Sequence, residues 1–290
     1  MGHPGGRPVA ARAELLRPPA GAGRLISFPR CLGDLVRTLH FPPAEVRVFP
    51  DVVALNISGA GEFARAARDA VAAQGRFAVA LAGGSTPKTV YLQLAAEDRS
   101  GASRLPWDRI HVFFGDERCV PPDHPDSNFR MASESLLARV PIPPANVHRF
   151  RGEDDPARAA AAAEQELREF FGTGLPRFDL VLLGLGTDGH TASLFPNTEA
   201  LRETVRPVVA NWVPKLNAHR LTLTFPVLNQ AAEVIFLVTG TEKARVLGEV
   251  LRPAQDGPAY PARSVRPTHG RLLWLVDEAA TSELQPAGGQ

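Results

Sequence analysis

The sequence predicts an α/β fold, a doubly wound and mostly parallel sheet with helices on both faces, as one Rossmann-like domain over residues 44–284. Three observations predict it. Short apolar runs alternate with segments that have helical periodicity, and three of these runs stop abruptly at glycines or charges. Hydrophobic residues form 44% of the 290 residues, which is enough for a sizeable core.

The strands are predicted from apolar, β-branched runs bounded by turn residues. The first run contains Pro50 and is therefore expected to form two pieces. The last run is the apolar segment near the carboxyl terminus. We expect strands over residues 46–56, 77–82, 110–115, 180–183, 206–210, 221–224, 234–238 and 272–276.

The helices are predicted from apolar residues that recur on one face. Ser58 is a plausible N-cap for the first helix, in which Phe63, Ala67 and Val71 share a face. An Ala/Glu-rich stretch predicts a surface helix in the middle of the chain. We expect helices over residues 58–74, 88–96, 128–137, 156–171, 226–231 and 243–251.

The two ends of the chain are not expected to join the core. Residues 1–43 are rich in Gly, Pro, Ala and Arg and have no apolar stretch of signal-peptide length. Their arginines are typical of a transit peptide, but Ser27 is their only serine. We expect a disordered leader there, or a start codon assigned too far upstream, and a short tail over residues 285–290.

Composition argues against several classes of function. A formal net charge of +1 gives no basic surface for nucleic acid and no strong attraction to anionic membranes. No apolar run has the length of a membrane-spanning helix. Cys31 and Cys119 are too few for a disulfide framework and are typical of a reducing compartment, so we expect a cytoplasmic protein.

The segment after the predicted strand 180–183 carries the strongest functional signal. The strand ends at Gly184 and Gly186, and Asp188 and His190 follow two residues apart. Buried parallel strands present functional groups at their carboxyl ends. A histidine there can exchange a proton, and a neighbouring carboxylate can orient it. The alternative is a hydrogen-bonded loop histidine beside a turn aspartate.

Two further strand ends show the same arrangement. Residues 77–82 lead into Gly83, Gly84, Ser85 and Thr86, where free amides and hydroxyls suit an anion such as phosphate, although an ordinary capped helix start explains them equally well. Residues 110–115 lead into the charged residues 116–118, either a solvated turn or part of a site. Together, the three strand ends favour one shared cleft.

Three sequence motifs resemble those of one known family. Ala82-Gly-Gly-Ser-Thr-Pro87, Gly115-Asp-Glu-Arg118 with Asp126-Ser-Asn-Phe129, and Gly184-Leu-Gly-Thr-Asp-Gly-His-Thr-Ala-Ser-Leu-Phe-Pro196 resemble the 6-phosphogluconolactonases of the glucosamine/galactosamine-6-phosphate isomerase superfamily. The resemblance extends over residues 46–280. It implies hydrolysis of 6-phospho-D-glucono-1,5-lactone to 6-phosphogluconate in the oxidative pentose phosphate pathway, with no metal and no cofactor.

The resemblance also implies roles for particular residues. His190 would activate water as a general base, oriented by Asp188. Arg118 or a loop amide would stabilise the oxyanion, and Asp116 would bind sugar hydroxyls or orient Arg118. The phosphate would be held by Gly83, Gly84, Ser85, Thr86, Lys243 and Arg220. The expected partner is a sugar phosphate lactone, bound by a monomer or a small homo-oligomer.

Two alternatives share this fold, and the second belongs to another class of function. Glucosamine-6-phosphate deaminases resemble this chain but carry a Glu where Phe195 stands and a Tyr where Arg118 stands, so both positions favour the lactonase. A sugar-phosphate sensor domain of a transcription regulator would use the fold without catalysis. It would normally come with a helix-turn-helix, for which residues 1–43 show no paired helical pattern.

Overall fold

Ten strands and six α-helices make up the described part of a computed structural model, residues 36–102, 104–252 and 259–284. The strands are β1 Arg37–Phe41, β2 Ala44–Phe49, β3 Phe77–Leu81, β4 Ile110–Phe114, β5 Asp116–Arg118, β6 Leu180–Leu183, β7 Val208–Val213, β8 Ala218–Leu223, β9 Glu233–Val238 and β10 Arg271–Asp277. The helices are α1 Val52–Gln74, α2 Ser85–Ser100, α3 Asn128–Ser135, α4 Pro156–Phe171, α5 Phe225–Gln230 and α6 Ala244–Leu251. No helix in these ranges is long and apolar enough to cross a membrane.

Seven strands form the central sheet in the order β1-β2-β10-β9-β6-β3-β4. All neighbours are parallel except the edge pair β1 and β2. A second, antiparallel sheet has the order β5-β8-β7. The central sheet is thus mostly parallel, as predicted, and the charged segment that follows β4 is a strand of the second sheet.

Helices cover both faces of the central sheet. Phe63 of α1 packs edge-on against Phe77 of β3, with 5.4 Å between ring centroids. Phe170 of α4 packs against Phe113 of β4, at 5.1 Å. Phe77 and Phe113 point to opposite faces, because Ala80 pairs with Phe113 and lies an odd number of residues from Phe77. The doubly wound arrangement is confirmed.

The beginning of the domain corrects two predictions. The predicted strand 46–56 is wrong beyond Phe49, because the backbone turns at Pro50 and α1 starts at Val52. The N-cap is Asp51 instead of Ser58, and its Oδ1 accepts a hydrogen bond from the Ala54 amide at 2.8 Å. An acidic cap therefore outweighs the β propensity of the valines that follow it.

The predicted domain boundary at residue 44 also lies too late. Arg37–Phe41 pairs antiparallel with β2 and forms the edge of the central sheet. Residues 1–35, with Cys31, and the predicted tail 285–290 lie outside the described residues.

Ion pairs stabilise the sheet near the amino ends of its parallel strands. Three arginines, Arg47, Arg65 and Arg271, surround the nearly buried carboxylates of Glu62 and Glu233. These groups join α1 to β2, β9 and β10. Buried charges of this kind are retained only when they are paired, so this end of the sheet is tied together electrostatically.

The winding direction changes between β3 and β6. From β3 the chain passes through α2 to β4 on one side, whereas from β6 it continues to β9 and β10 on the other side. In open parallel sheets, ligands bind at such a switch point, beyond the carboxyl ends of the strands. Two of the predicted functional segments follow β3 and β6.

Candidate active site

A cleft of about 230 Å³ opens at the carboxyl ends of β3, β6 and β9. This volume is below the roughly 300–1,000 Å³ typical of drug-sized ligands, so it suits a small molecule. Of the predicted site residues, Asp188 and Arg220 are absent from its lining. The walls contain the other predicted residues: Gly83, Gly84, Ser85, Thr86, Asp116, Arg118, His190 and Lys243.

His190 lies on the loop after β6 and contacts Asp188 directly. The two are joined by a 2.5 Å hydrogen bond between His190 Nδ1 and Asp188 Oδ1. The loop folds back on itself because the Gly186 amide donates to the His190 carbonyl at 2.8 Å. A Cβ on Gly186 would lie only 2.0 Å from His190 Nδ1, so only glycine permits this imidazole position.

Asp188 is shared between two hydrogen-bonding partners, His190 and Lys215. Its Oδ2 accepts a 2.6 Å hydrogen bond from Lys215 Nζ, at the tip of the β7–β8 hairpin. The hydrogen bond with His190, followed by that with Lys215, holds the pKa of the Asp188 carboxyl well below its ordinary value, although partial burial opposes the shift. Asp188 is therefore an anion at any pH at which the protein would work.

The Gly-rich segment after β3 starts helix α2. Gly84, with φ of 105°, is the N-cap, and Ser85 and Thr86 form the first turn. Gly84 has no side chain that could accept a hydrogen bond from the first amides of this 16-residue helix. The amides and the positive dipole at a helix start attract anions, and the residues at this helix start line the cleft.

Residues from the end of β9 complete this wall. Thr239 Oγ1 lies 2.8 Å from Thr86 Oγ1, which links the end of β9 to the start of α2. The turn after Thr239 is held by the buried carboxylate of Asp277, which accepts from the Gly240 amide at 3.1 Å. Lys243 follows that turn, half-buried, and lines the cleft. The amides of α2 and the Lys243 ammonium thus form a cationic pocket end.

Asp116 lies between the loop that carries His190 and the start of α3. Its Oδ2 accepts a 2.6 Å hydrogen bond from Ser193 Oγ in the loop after His190. Its Oδ1 accepts from Asn128 Nδ2 at 3.1 Å. A Cβ on Gly83 would lie 1.9 Å from Asn128 Oδ1, so Gly83 makes room for this amide. Asp116 consequently ties the His190 loop to Asn128 at the start of α3, which lies next to Gly83.

Glu117 organises the segment behind Asp116. Its buried carboxylate accepts from the amides of Arg118, Asn128 and Phe129 at 2.7, 2.7 and 2.8 Å, and from Ser127 Oγ at 3.1 Å. Burial raises the pKa of the Glu117 carboxyl, while these backbone donors act in the opposite direction. Because every neighbour donates, the contacts suit the ionised form and join β5 to the start of α3.

Arg118 presents an unsatisfied donor at the edge of the cleft. Its Nη1 donates to the Asp126 carbonyl at 2.5 Å. Its Nε is buried and has no hydrogen-bond partner within the part of the chain that the structure describes. Buried donors are normally paired, so this guanidinium N–H is available to donate to an anionic ligand atom.

Arg220 is absent from the cleft lining, and its predicted contact with the phosphate stays a prediction. It pairs with Arg118 across β5 and β8, and its Nη1 donates to the His219 carbonyl at 3.1 Å. Burial and the neighbouring Arg118 lower the pKa of Arg220. The strand register therefore places Arg220 beside Arg118 and outside the cleft wall.

In the described ranges, no group of three or more His, Cys, Asp and Glu side chains is arranged to hold a metal ion. The polar atoms that face the cleft are amides, hydroxyls, cations, one imidazole and one carboxylate. Such a set suits a small anionic ligand that carries hydroxyl groups.

Comparison with known proteins assigns the family. Residues 50–274 match the family described as glucosamine-6-phosphate isomerases/6-phosphogluconolactonase. The chain belongs to this family. A 6-phosphogluconolactonase of Nostoc sp. is 46% identical over 82% of this chain and 98% of its own length. The human 6-phosphogluconolactonase is 42% identical over 74% of this chain and 84% of its own length.

Solved structures agree with this membership. The 6-phosphogluconolactonase from Trypanosoma brucei superposes with a TM-score of 0.73 at 32% identity, over 85% of this chain and 100% of that one. The predicted fold and family resemblance are confirmed. The family description covers both isomerases and lactonases, so membership alone does not choose between these two activities.

Phe195 is the position at which this family member departs from the deaminase pattern. Its ring stacks on the His190 imidazole, with 4.0 Å between centroids and an angle of 20°. Phe195 is buried, and its ring covers one face of the imidazole. The position therefore supplies packing for His190 and no acid–base group.

Several contributors to the site were absent from the predicted set. Lys215 and Ser193 reach the site through contacts with residues 27 and 77 positions away in the chain. Asn128 reaches it through a contact with Asp116, 12 positions away. Thr239 and Asp277 follow apolar strands, and that placement was the one local signal available for them. Glu117 lies within the charged triplet that the sequence singled out.

Glu117→Gln should lower the free energy of unfolding by about 2–3 kcal/mol, because the amide places its own donors against groups that already donate. Urea denaturation followed by circular dichroism measures the change. Glu134→Gln is the matched control on α3, since that side chain is 57% exposed, and it should leave the unfolding free energy nearly unchanged. Equal stability of both variants would contradict the organising role of Glu117.

Proposed function

We propose that this protein hydrolyses 6-phospho-D-glucono-1,5-lactone to 6-phosphogluconate, by general-base activation of water without a metal. The observation that carries the proposal is the Asp188–His190 contact, because the His190 member lines a cleft that the start of α2 and Lys243 also line. The 6-phosphogluconolactonases among its relatives support the choice of substrate. A cytoplasmic location and a monomer or small homo-oligomer stay predictions.

The phosphate binds at the cationic end of the cleft. The first amides of α2, the hydroxyls of Ser85 and Thr86, and the Lys243 ammonium are the donors for its oxygens. This contact places the ring of the lactone toward His190, on the opposite side. Fixing the carbonyl beside the base accounts for a large part of the rate enhancement.

His190 then removes a proton from a water molecule as the water oxygen attacks C1 of the lactone. Asp188, which accepts from Nδ1, leaves Nε2 as the proton acceptor and stabilises the imidazolium that forms. The carbonyl electrons move to oxygen and give a tetrahedral oxyanion. When the intermediate collapses, the bond from C1 to the ring oxygen breaks, and the imidazolium returns its proton to that oxygen. The product acid then ionises and releases one proton to solvent.

The oxyanion needs a donor that is not already used. The buried Nε of Arg118, without a partner among the described residues, is the donor we assign to it. Asp116 keeps its two hydrogen bonds from Ser193 and Asn128 and positions the surrounding segments. Its edge on the cleft can accept from a sugar hydroxyl.

The deaminase alternative has less support. Deamination opens a sugar ring and shuttles protons between two carbons and a departing amine, which requires more acid–base groups than one attack by water. Phe195 stacks on His190 where a carboxylate would be needed. No observation favours a non-catalytic sensor.

The decisive assay adds purified protein to freshly prepared 6-phosphogluconolactone and follows acid release with a pH indicator. The rate should exceed spontaneous opening of the lactone in buffer in proportion to the protein added. Glucosamine-6-phosphate should release no ammonia. Acid release no faster than in buffer would contradict the lactonase proposal. Ammonia release at a rate comparable with lactone hydrolysis would favour the deaminase instead.

His190→Gln should lower kcat about 10²-fold or more, because the variant keeps a hydrogen-bonding side chain but has no base. Steady-state kinetics measure the change, and circular dichroism checks that the variant is folded. A folded variant with near-parental kcat would show that His190 is not the base.

Gly186→Ala should lower kcat by a similar factor of about 10², because the added Cβ pushes the imidazole from its place. Gly184→Ala is the matched control in the same loop, since a Cβ there meets nothing within 4 Å, and it should keep most of kcat. If Gly186→Ala were as active as Gly184→Ala, the position of His190 would not matter as argued.

Lys243→Met should raise KM by roughly 10- to 100-fold with a smaller change in kcat, because a phosphate contact persists from ground state to transition state. Gluconolactone without its phosphate serves as the internal control, since parent and variant should hydrolyse it equally slowly. An equal loss on both lactones would remove Lys243 from the phosphate subsite.

A further inference from the structure

Lys215 occupies a position that the proposed mechanism does not use. It lies in the turn Pro214–Leu216 at the tip of the β7–β8 hairpin, and its side chain is 60% exposed. Its Nζ contacts Asp188 Oδ2 at 2.6 Å, while the other oxygen of the same carboxylate contacts His190. The carboxylate that orients the imidazole therefore has a second partner, the Lys215 ammonium.

The hairpin that carries Lys215 is fixed to the loop that carries His190. Buried Asn211 of β7 donates from Nδ2 to the Ser193 carbonyl at 2.9 Å and to Thr198 Oγ1 at 3.0 Å. Trp212 and His219 face each other across the hairpin, with 4.9 Å between ring centroids. The hairpin backbone is thus held against the His190 loop, and this arrangement places Lys215 beside Asp188.

We propose that Lys215 is a positioning residue that orients Asp188 and sets the pH at which the His190 imidazole takes up a proton. The inference deepens the proposed function of this site and rests on it for its kinetic consequence. Asp188 alone would favour a charged imidazolium beside it. Lys215 offsets part of that negative charge, so the imidazole stays neutral, and able to accept a proton, to lower pH.

The other charged groups near His190 set the background for this effect. Asp116, Arg118 and Lys243 line the same cleft. Tyr260 packs against Gly189, and its hydroxyl donates to Glu249. Phe195, on the imidazole face, carries no charge. Lys215 is distinguished from these groups by direct contact with the carboxylate that holds His190.

The test compares the parent with Lys215→Met, Lys215→Arg and Arg202→Met. The arginine variant keeps the charge at the hairpin tip. Arg202→Met is the matched control, because it removes one exposed cation from an ion pair with Glu199 at a different cavity. Two readouts are used: the pH titration of the His190 Cε1 proton by NMR, assigned by its loss in His190→Gln, and the pH profile of kcat/KM on the lactone.

The NMR midpoint of Lys215→Met should move upward by roughly 0.5 to 1 in pH, the effect of removing one cation from the carboxylate that contacts His190 at a partly solvated site. The acidic limb of kcat/KM should move by the same amount, while kcat on the alkaline plateau changes less than about threefold. Lys215→Arg should restore most of the parental midpoint, and Arg202→Met should match the parent. High salt should shift the parent toward Lys215→Met, because the exposed ammonium is screened.

The two readouts separate failure of this inference from failure of the proposed function. An unchanged or lowered NMR midpoint in folded Lys215→Met would overturn the role of Lys215, whatever the activity. A raised NMR midpoint with an unmoved kinetic profile would support the role of Lys215 and overturn His190 as the base.

Discussion

Two glycines at the ends of neighbouring parallel strands make the cleft possible. A side chain at Gly83 would collide with Asn128, and one at Gly186 would collide with His190, at 1.9 and 2.0 Å respectively. Backbone without side chains lets the β3 and β6 ends approach the polar groups that face them. The start of α2 and the His190 imidazole, to which we assign anion binding and proton transfer, therefore share one small cleft.

Polar contacts then hold the segments after β3 and β6 in fixed positions relative to each other. Asp116 accepts from Asn128 on one side and from Ser193 on the other. Thr86 and Thr239 bridge the ends of α2 and β9. Most of these groups are buried, so each lost contact would leave an unsatisfied partner. The site is preorganised by the same hydrogen bonds that close the domain around it.

The carboxyl and amino ends of the central sheet are organised differently. At the amino ends, Glu62 and Glu233 are enclosed by arginines that neutralise them. At the carboxyl ends, the Arg118 Nε has no described partner, and the first amides of α2 face the cleft. Donors without a hydrogen-bond partner at the carboxyl ends of the strands, and ion pairs at the amino ends, are typical of a fold in which the carboxyl ends bind ligand and the amino ends provide stability.

Local patterns in the sequence predicted the parts of the site that depend on one segment. A buried strand followed by glycines and then Asp188 and His190 is such a pattern, and so is the Gly-rich start of α2. The error at Val52 arose because two valines favour a strand, although they are largely exposed on a helix capped by Asp51. The cap chemistry was visible in the sequence and received too little weight.

Contacts between distant segments could not be predicted in this way. Lys215 meets Asp188 from 27 residues away, and Ser193 meets Asp116 from 77 residues away. Both contacts depend on how distant segments pack together, and the pairing of β5 with β8 places Arg220 beside Arg118. Register depends on how the whole hairpin packs, which no single motif encodes.

A structure of the protein with 6-phosphogluconate bound tests the central claim most directly. The account predicts the phosphate at the amides of Ser85 and Thr86 and near Lys243, with the C1 carboxylate between His190 and Arg118. A ligand bound in the opposite orientation, or outside the cleft, would contradict it.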